Sequence, residues 1–263
     1  MQQVAPIGVF DSGLGGLTVL KELIQALPHE NFIYLGDTAR IPYGVKSPET
    51  VQKYAQANVD FLETQGVKAV VIACNSASTV ANQIQSELPI LGVIQPGAMA
   101  AAATTINKKI GIIGTRTTVS KRTYVTEIQS MDPEIQVFQQ ACPLLVPLVE
   151  EGWDNDPITN LVVYRYLSPL IASDIDTLVL GCTHYPILLP AIEKVTGNKI
   201  QIISSGKVVA NKVAEDLDSI LNKDTSKEGE IRLMTTDDSE TYKSLAARLL
   251  TELPNKGVEL VDL

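Results

Sequence analysis

Cysteine is scarce in this chain of 263 residues: there are three, an odd number. That argues against a disulfide framework and leaves the thiols available for chemistry or for packing. No cluster of lysine and arginine breaks an excess of 30 acidic over 21 basic residues, and the formal charge is −9. Nucleic acid is therefore not expected as a partner. No apolar run approaches the roughly 20 residues needed to span a bilayer. The start, MQQVAPIGVFDSG, lacks the basic and apolar regions of a targeting segment. A cytoplasmic protein with no membrane partner is expected.

What is present is a globular composition, 45% hydrophobic and 19% charged, in a length that accommodates two ordinary domains. Short apolar runs alternate with amphipathic stretches, the pattern of βα units feeding a mostly parallel sheet. Strands are expected at IGVF, NFIYLG, KAVVIA, ILGVI, KIGIIG, IQVFQQ, TLVLG, IQII, EIRLMT and VELVD. Leu17, Leu20, Ile24 and Leu27 in GGLTVLKELIQAL have helical spacing. An internal repeat also shows. VKAVVIACNSA superimposes on IDTLVLGCTHY without a gap, placing Cys74 over Cys182 at an offset of 108, and IGVFDSG matches IGIIGTR at an offset of 103.

The repeat predicts an α/β protein of two pseudo-symmetric domains, each a mostly parallel sheet flanked by helices, with the active site in the cleft between them. The expected boundaries are 1–97 plus 207–263 for the first domain and 98–206 for the second. The seam is placed at the Pro-Gly break in QPGAMAAAATTINKK and the return at SSGK. A last strand, helix and strand, with no counterpart in the second half, are assigned to the first domain.

Ligands of open α/β sheets sit beyond the carboxyl ends of the strands, where Cys74 and Cys182 both fall. A helix starting there would lower a thiol pKa toward neutrality. Free cysteine also packs as a small hydrophobe, and that reading suits Cys142 in QQACPLLVP. Structural zinc is disfavoured because the thiols lack local C-x2-4-C pairing. Two thiols facing each other across a cleft suit racemisation, in which one takes a proton from a carbon and the other delivers one to its opposite face.

Asp11 and Ser12 end the first apolar run before a glycine-rich turn. Gly13 and Gly15 fit the first positions of a dinucleotide loop, Thr18 stands at the third, and Asp37 imitates the ribose-binding acid; a tight capped turn is an equal reading. Tyr43 and Gly44 offer hydroxyl and N–H groups to a carboxylate. Asn75, Ser76 and Thr183 form an anion site or cap helices. His184 lies within reach of Cys182 to hold its proton, and Asp11 can serve Cys74 if the first and third strands are neighbours. His29 reads as surface, and Glu150 and Glu151 as an exposed helix end.

GVFDSGLGGLTVL, YLGDTARIPYG, VIACNSAS, CPLLVPLVEEG and LVLGCTHYPIL together resemble, in order and spacing, the glutamate racemases of the cofactor-independent aspartate/glutamate racemase superfamily. The resemblance implies interconversion of L- and D-glutamate with Cys74 and Cys182 as opposing acid and base, assisted by Asp11, Glu150 and His184. It implies that Asp11, Ser12, Asn75, Ser76 and Thr183, with Thr118, hold the α-carboxylate and amino group, and that the Tyr43-Gly44 stretch receives the side-chain carboxylate. It also implies no cofactor, no metal, a homodimer, and D-glutamate supplied to peptidoglycan. The family usually has threonine where this chain has Ser76, which keeps the hydroxyl and drops a methyl. An aspartate racemase, an amino-acid binding protein without catalysis, and a nucleotide-dependent oxidoreductase built on Gly13 and Asp37 are the alternatives.

Overall fold

The computed structural model describes residues 5–237, 247 and 257–263. The expected apolar runs form strands β1 (Ile7–Asp11), β2 (Phe32–Gly36), β3 (Ala69–Ile72), β4 (Ile90–Gly92), β5 (Lys109–Gly114), β6 (Gln136–Ala141), β7 (Thr177–Gly181), β8 (Gln201–Ser204), β9 (Ile231–Thr235) and β10 (Val258–Leu260). β1, β2, β3 and β7 are buried at every position. A strand buried on both faces needs cover on both, and parallel sheets gain that cover from their crossover helices. All strand pairs are parallel. The helix expected between β9 and β10 lies almost wholly outside the described residues.

Two sheets result, ordered β10-β9-β2-β1-β3-β4 and β6-β5-β7-β8. The second repeats the connectivity of β2-β1-β3-β4 in the first. The stretches matched by the internal repeat are β1 with β5 and β3 with β7, so the repeat is one of topology as well as of sequence. β9 and β10 extend the first sheet beyond β2.

The helices are α1 (Leu17–Ala26), α2 (Pro48–Thr64), α3 (Asn75–Ser78), α4 (Ile94–Thr104), α5 (Arg116–Lys121), α6 (Thr123–Met131), α7 (Leu145–Glu150), α8 (Pro157–Ala172), α9 (Leu189–Thr196) and α10 (Ser205–Asp216). On the first sheet, Ile7 and Val9 of β1 point into a core with Leu17, Leu20 and Leu23 of α1 and Val209 and Val213 of α10. Phe10 of β1 joins Val51, Ala55, Val59 and Leu62 of α2 on the other face. On the second sheet, Leu178 and Leu180 of β7 pack with residues of α7, α8 and α9, while Val179 packs with α4 and α6. α1 keeps the expected face, except that Leu27 falls just past its end.

The connections between sheets differ from expectation in one respect. Pro96 and Gly97 do not break the chain; they lie inside α4. Pro96 is in the first turn, where a backbone N–H has no acceptor within the helix and a proline costs little. Gly97 is needed for packing, since a Cβ there would come within 3.3 Å of the Tyr124 hydroxyl oxygen. The chain thus crosses between sheets through two helices packed on each other, α4 after β4 and α10 after β8.

Leu20, fully buried between the first sheet and α10, tests this packing. Leu20→Ala leaves a cavity and is expected to cost about 2–5 kcal/mol of unfolding free energy, read by urea titration.

Candidate active site

β1 lies beside β3, and β5 beside β7, so in each sheet the chain turns to opposite sides at this pair. That is the position where α/β sheets open a crevice beyond their carboxyl ends. The two crevices merge into one cleft of about 280 Å³ lined by Ser12, Cys74, Asn75, Ser76, Cys182, Thr183 and His184. Tyr43, Gly44 and Glu150 also line it. The structure therefore brings both expected thiols to a single cavity, Cys74 from the first sheet and Cys182 from the second. Cys142 is fully buried with its sulfur near the Gln140 carbonyl, as expected for packing.

Each thiol has different company. Asp11, fully buried at the end of β1, accepts hydrogen bonds from the N–H groups of Gly13 and Gly16 at 3.2 and 3.0 Å and interacts with the Cys74 thiol. Cys74 Sγ is also 3.6 Å from Ser12 Oγ. Burial raises Asp11 against the pull of the His184 charge and of those N–H groups. Burial, and then the Asp11 charge, pushes Cys74 up to about 12. This reverses the expectation for Cys74 of a thiol lowered by a helix end. α3 is only four residues long, too short a column of aligned peptides to offset desolvation.

Cys182 Sγ lies 3.9 Å from Nδ1 of His184, whose Nε2 is 3.2 Å from Glu150 Oε1. The second contact is an ion-pair approach rather than an aligned hydrogen bond. Burial alone would lower the imidazole, but its interactions with Cys182 and Glu150 outweigh that and push His184 up to about 10. Glu150 is thus engaged with His184, and only Glu151 is a free exposed helix end. No helix starts directly after Cys182; a 3-10 turn, Tyr185–Leu188, precedes α9.

Glycines set the width of the cleft. A Cβ on Gly15 would lie 2.3 Å from Thr183 Oγ1 and 2.5 Å from His184 Nδ1, so only glycine lets the first-sheet turn meet the second thiol loop. A Cβ on Gly16 would lie 2.4 Å from that of Asp11. Gly15 of the expected pyrophosphate loop is thus occupied by packing, and Asp37 is sealed under the Tyr43 loop by Arg40 at 2.7 Å, by Thr236 at 3.1 Å and by the Tyr43 hydroxyl. The expected ribose acid of a dinucleotide site is therefore not available. The Tyr43 hydroxyl, which also accepts from Asn58 at 3.0 Å, is likewise not free for a carboxylate, although Tyr43 and Gly44 both line the cleft.

Thr118 does not line the cleft. It stands behind it, 3.5 Å from Ser76 Oγ and 3.1 Å from Thr115 Oγ1. Thr115 lines the cleft in its place and bonds Ser76 at 2.8 Å. The repeat contained this signal, since Thr115 stands over Ser12 at the offset of 103. Arg116 and the apolar rim of Ile41, Val45, Pro143 and Val146 carried no comparable signal. Among the described residues, no cluster of three or more His, Cys, Asp or Glu is placed to hold a metal ion.

Two related parallel sheets closing on one cleft, with acid–base side chains at matching strand ends, define an α/β isomerase of the racemase class. The Asp/Glu/Hydantoin racemase family pattern matches residues 7–213, and the chain belongs to that family. It is 46% identical over 266 residues to the glutamate racemase of Syntrophus aciditrophicus, covering 99% of this chain and 98% of the relative. Among solved structures, a glutamate racemase isoform from Bacillus anthracis superimposes with a TM-score of 0.93 at 39% identity, covering 98% of both chains. The Francisella tularensis glutamate racemase in complex with D-glutamate does so at 0.91 and 37%, with 98% of both chains covered.

Two outcomes are expected. Gly15→Ala should lower kcat/KM by about 100-fold by forcing Thr183 and His184 aside, with an unchanged far-ultraviolet circular dichroism spectrum. His184, raised above its unfolded value, stabilises the fold fully below about pH 6.5, and that stabilisation is lost as pH rises to about 10. Urea titrations at pH 6.5 and 9.5 should show a larger fall for the wild type than for His184→Gln.

Proposed function

We propose that this chain interconverts L- and D-glutamate by transferring protons at Cα between two opposed thiols, without a cofactor. The observation that carries the reading is the convergence of Cys74 and Cys182, from equivalent strand ends of two related sheets, on one cleft. Full-length similarity to glutamate racemases supports the substrate.

In the L-to-D direction, Cys182 is the base. Its sulfur forms a bond to the Cα hydrogen as the C–H bond breaks, and the electron pair spreads onto the α-carboxylate. Cys74, whose burial keeps its proton on, then donates to the opposite face. In the D-to-L direction the roles exchange, and Asp11 beside Cys74 takes up or returns the proton. His184, backed by Glu150, stands beside Cys182 to take up or return its proton. Ser12, Asn75, Ser76 and Thr183 hold the α-carboxylate and amino group, with Asp11 beneath them. The N–H groups of the Tyr43-Gly44 stretch receive the side-chain carboxylate.

Two domains, residues 1–97 plus 207–263 and residues 98–206, supply the two walls of this cleft. The enzyme works in the cytoplasm as a homodimer, and its D-glutamate feeds peptidoglycan synthesis. No described helix is long and apolar enough to cross a membrane.

In D2O, with no added cofactor or metal, the protein should place deuterium at Cα of either glutamate isomer, read by proton NMR. Cys74→Ala and Cys182→Ala should each abolish racemisation; a single variant retaining near wild-type turnover would end the two-base scheme. Exchange with aspartate in place of glutamate would reassign the substrate, and binding without exchange would favour a sensor.

A further inference from the structure

Asn75 lines the cleft and is only 2% exposed, yet its amide oxygen has no hydrogen-bond partner. A buried acceptor left unpaired is costly unless a ligand supplies the donor. Its amide nitrogen is satisfied from behind, donating to the Tyr124 hydroxyl at 2.9 Å. Tyr124 stands on α6, part of the other sheet's cover, and is fully buried. Its ring lies close against Gly97 of α4 and Gly181 of β7, where a Cβ on either would come within 3.3 Å of it. The hydroxyl continues to Ser205 at the start of α10. Ser205 Oγ in turn lies 3.4 Å from the Leu180 carbonyl.

The sense of this chain is fixed at its far end. A backbone carbonyl can only accept, so Ser205 donates to Leu180. Ser205 then accepts from Tyr124, and Tyr124 accepts from Asn75. An amide has its donors on nitrogen alone, so Asn75 must turn its nitrogen toward Tyr124. We infer that Tyr124 and Ser205, neither of which lines the cleft, are positioning residues that present the Asn75 oxygen to the substrate's ammonium group. An ammonium is purely a donor; the opposite amide orientation would set two donors against each other. The inference rests on the amino-acid racemase reading above and adds the device by which the amine is recognised.

The test compares Tyr124→Phe and Ser205→Ala with the wild type, using full-length protein. KM and kcat are measured for L-glutamate and D-glutamate, together with the inhibition constant of glutarate, which keeps both carboxylates and lacks the amine. Without the Tyr124 hydroxyl the amide can turn. KM for both isomers should then rise roughly tenfold, the cost of one lost charge-assisted hydrogen bond, while glutarate inhibition stays unchanged. Ser205→Ala keeps the phenol in place and should move the same ratio in the same direction by less. An equal weakening of glutamate and glutarate, or an unchanged KM in both variants, would overturn the inference. If the wild type did not racemise glutamate, the proposed function would fall; calorimetric binding of glutamate against glutarate to the same variants would still judge the amide's orientation.

Discussion

A carboxylate, an imidazole and two thiols meet around one cleft almost out of contact with water, so neighbours rather than solvent decide who carries each proton. Cys74 is only 5% exposed and Cys182 7%. Desolvation penalises every charged form here, and a charge survives only beside a partner. Asp11 rests on two backbone N–H groups, and His184 on Cys182 and Glu150. The rest of the architecture serves this dryness: fully buried parallel strands carry the groups to the cleft, and glycines let the surrounding turns close over them.

The two halves are alike in backbone and unlike in charge. In the repeat, Ser12 stands over Thr115, so each half contributes a hydroxyl at the same place. Asp11 stands over Gly114, and Ser76 over His184. The first thiol therefore has a carboxylate beneath it and the second an imidazole beside it. A duplicated fold supplies two equivalent positions, and the groups around them make the two thiols differ in charge environment. The difference lies in single side chains on an otherwise shared frame.

Much of this was legible in the sequence because local and global signals agree. All ten apolar runs became strands in the structure, since each was bounded by turn residues and too short for a buried helix. The relation between Asp11 and Cys74 depended on the first and third strands being neighbours, and β1 does pair with β3. Pro96-Gly97 reads as a break because it resembles a turn, whereas proline is tolerated in a first helical turn and the glycine answers to Tyr124, a residue far along the chain. The state of Cys74 was misjudged because helix length and burial are three-dimensional quantities. Tyr43 was assigned a free hydroxyl because nothing in YLGDTARIPYG announces that Asn58, on α2, and Asp37 share it. Thr115 was already inside the repeat, standing over Ser12.

The double crossing through α4 and α10 has a mechanical consequence. Helices rather than slack linkers join the halves, and the packed pair of α4 and α10 holds one wall of the cleft to the other. Thr117 also donates to the carbonyls of Tyr43 and Lys46 at 3.2 and 3.1 Å, and Ser76 meets Thr115. A second tie between the halves is thus made by hydroxyl groups alone, where the first is made by packed helices.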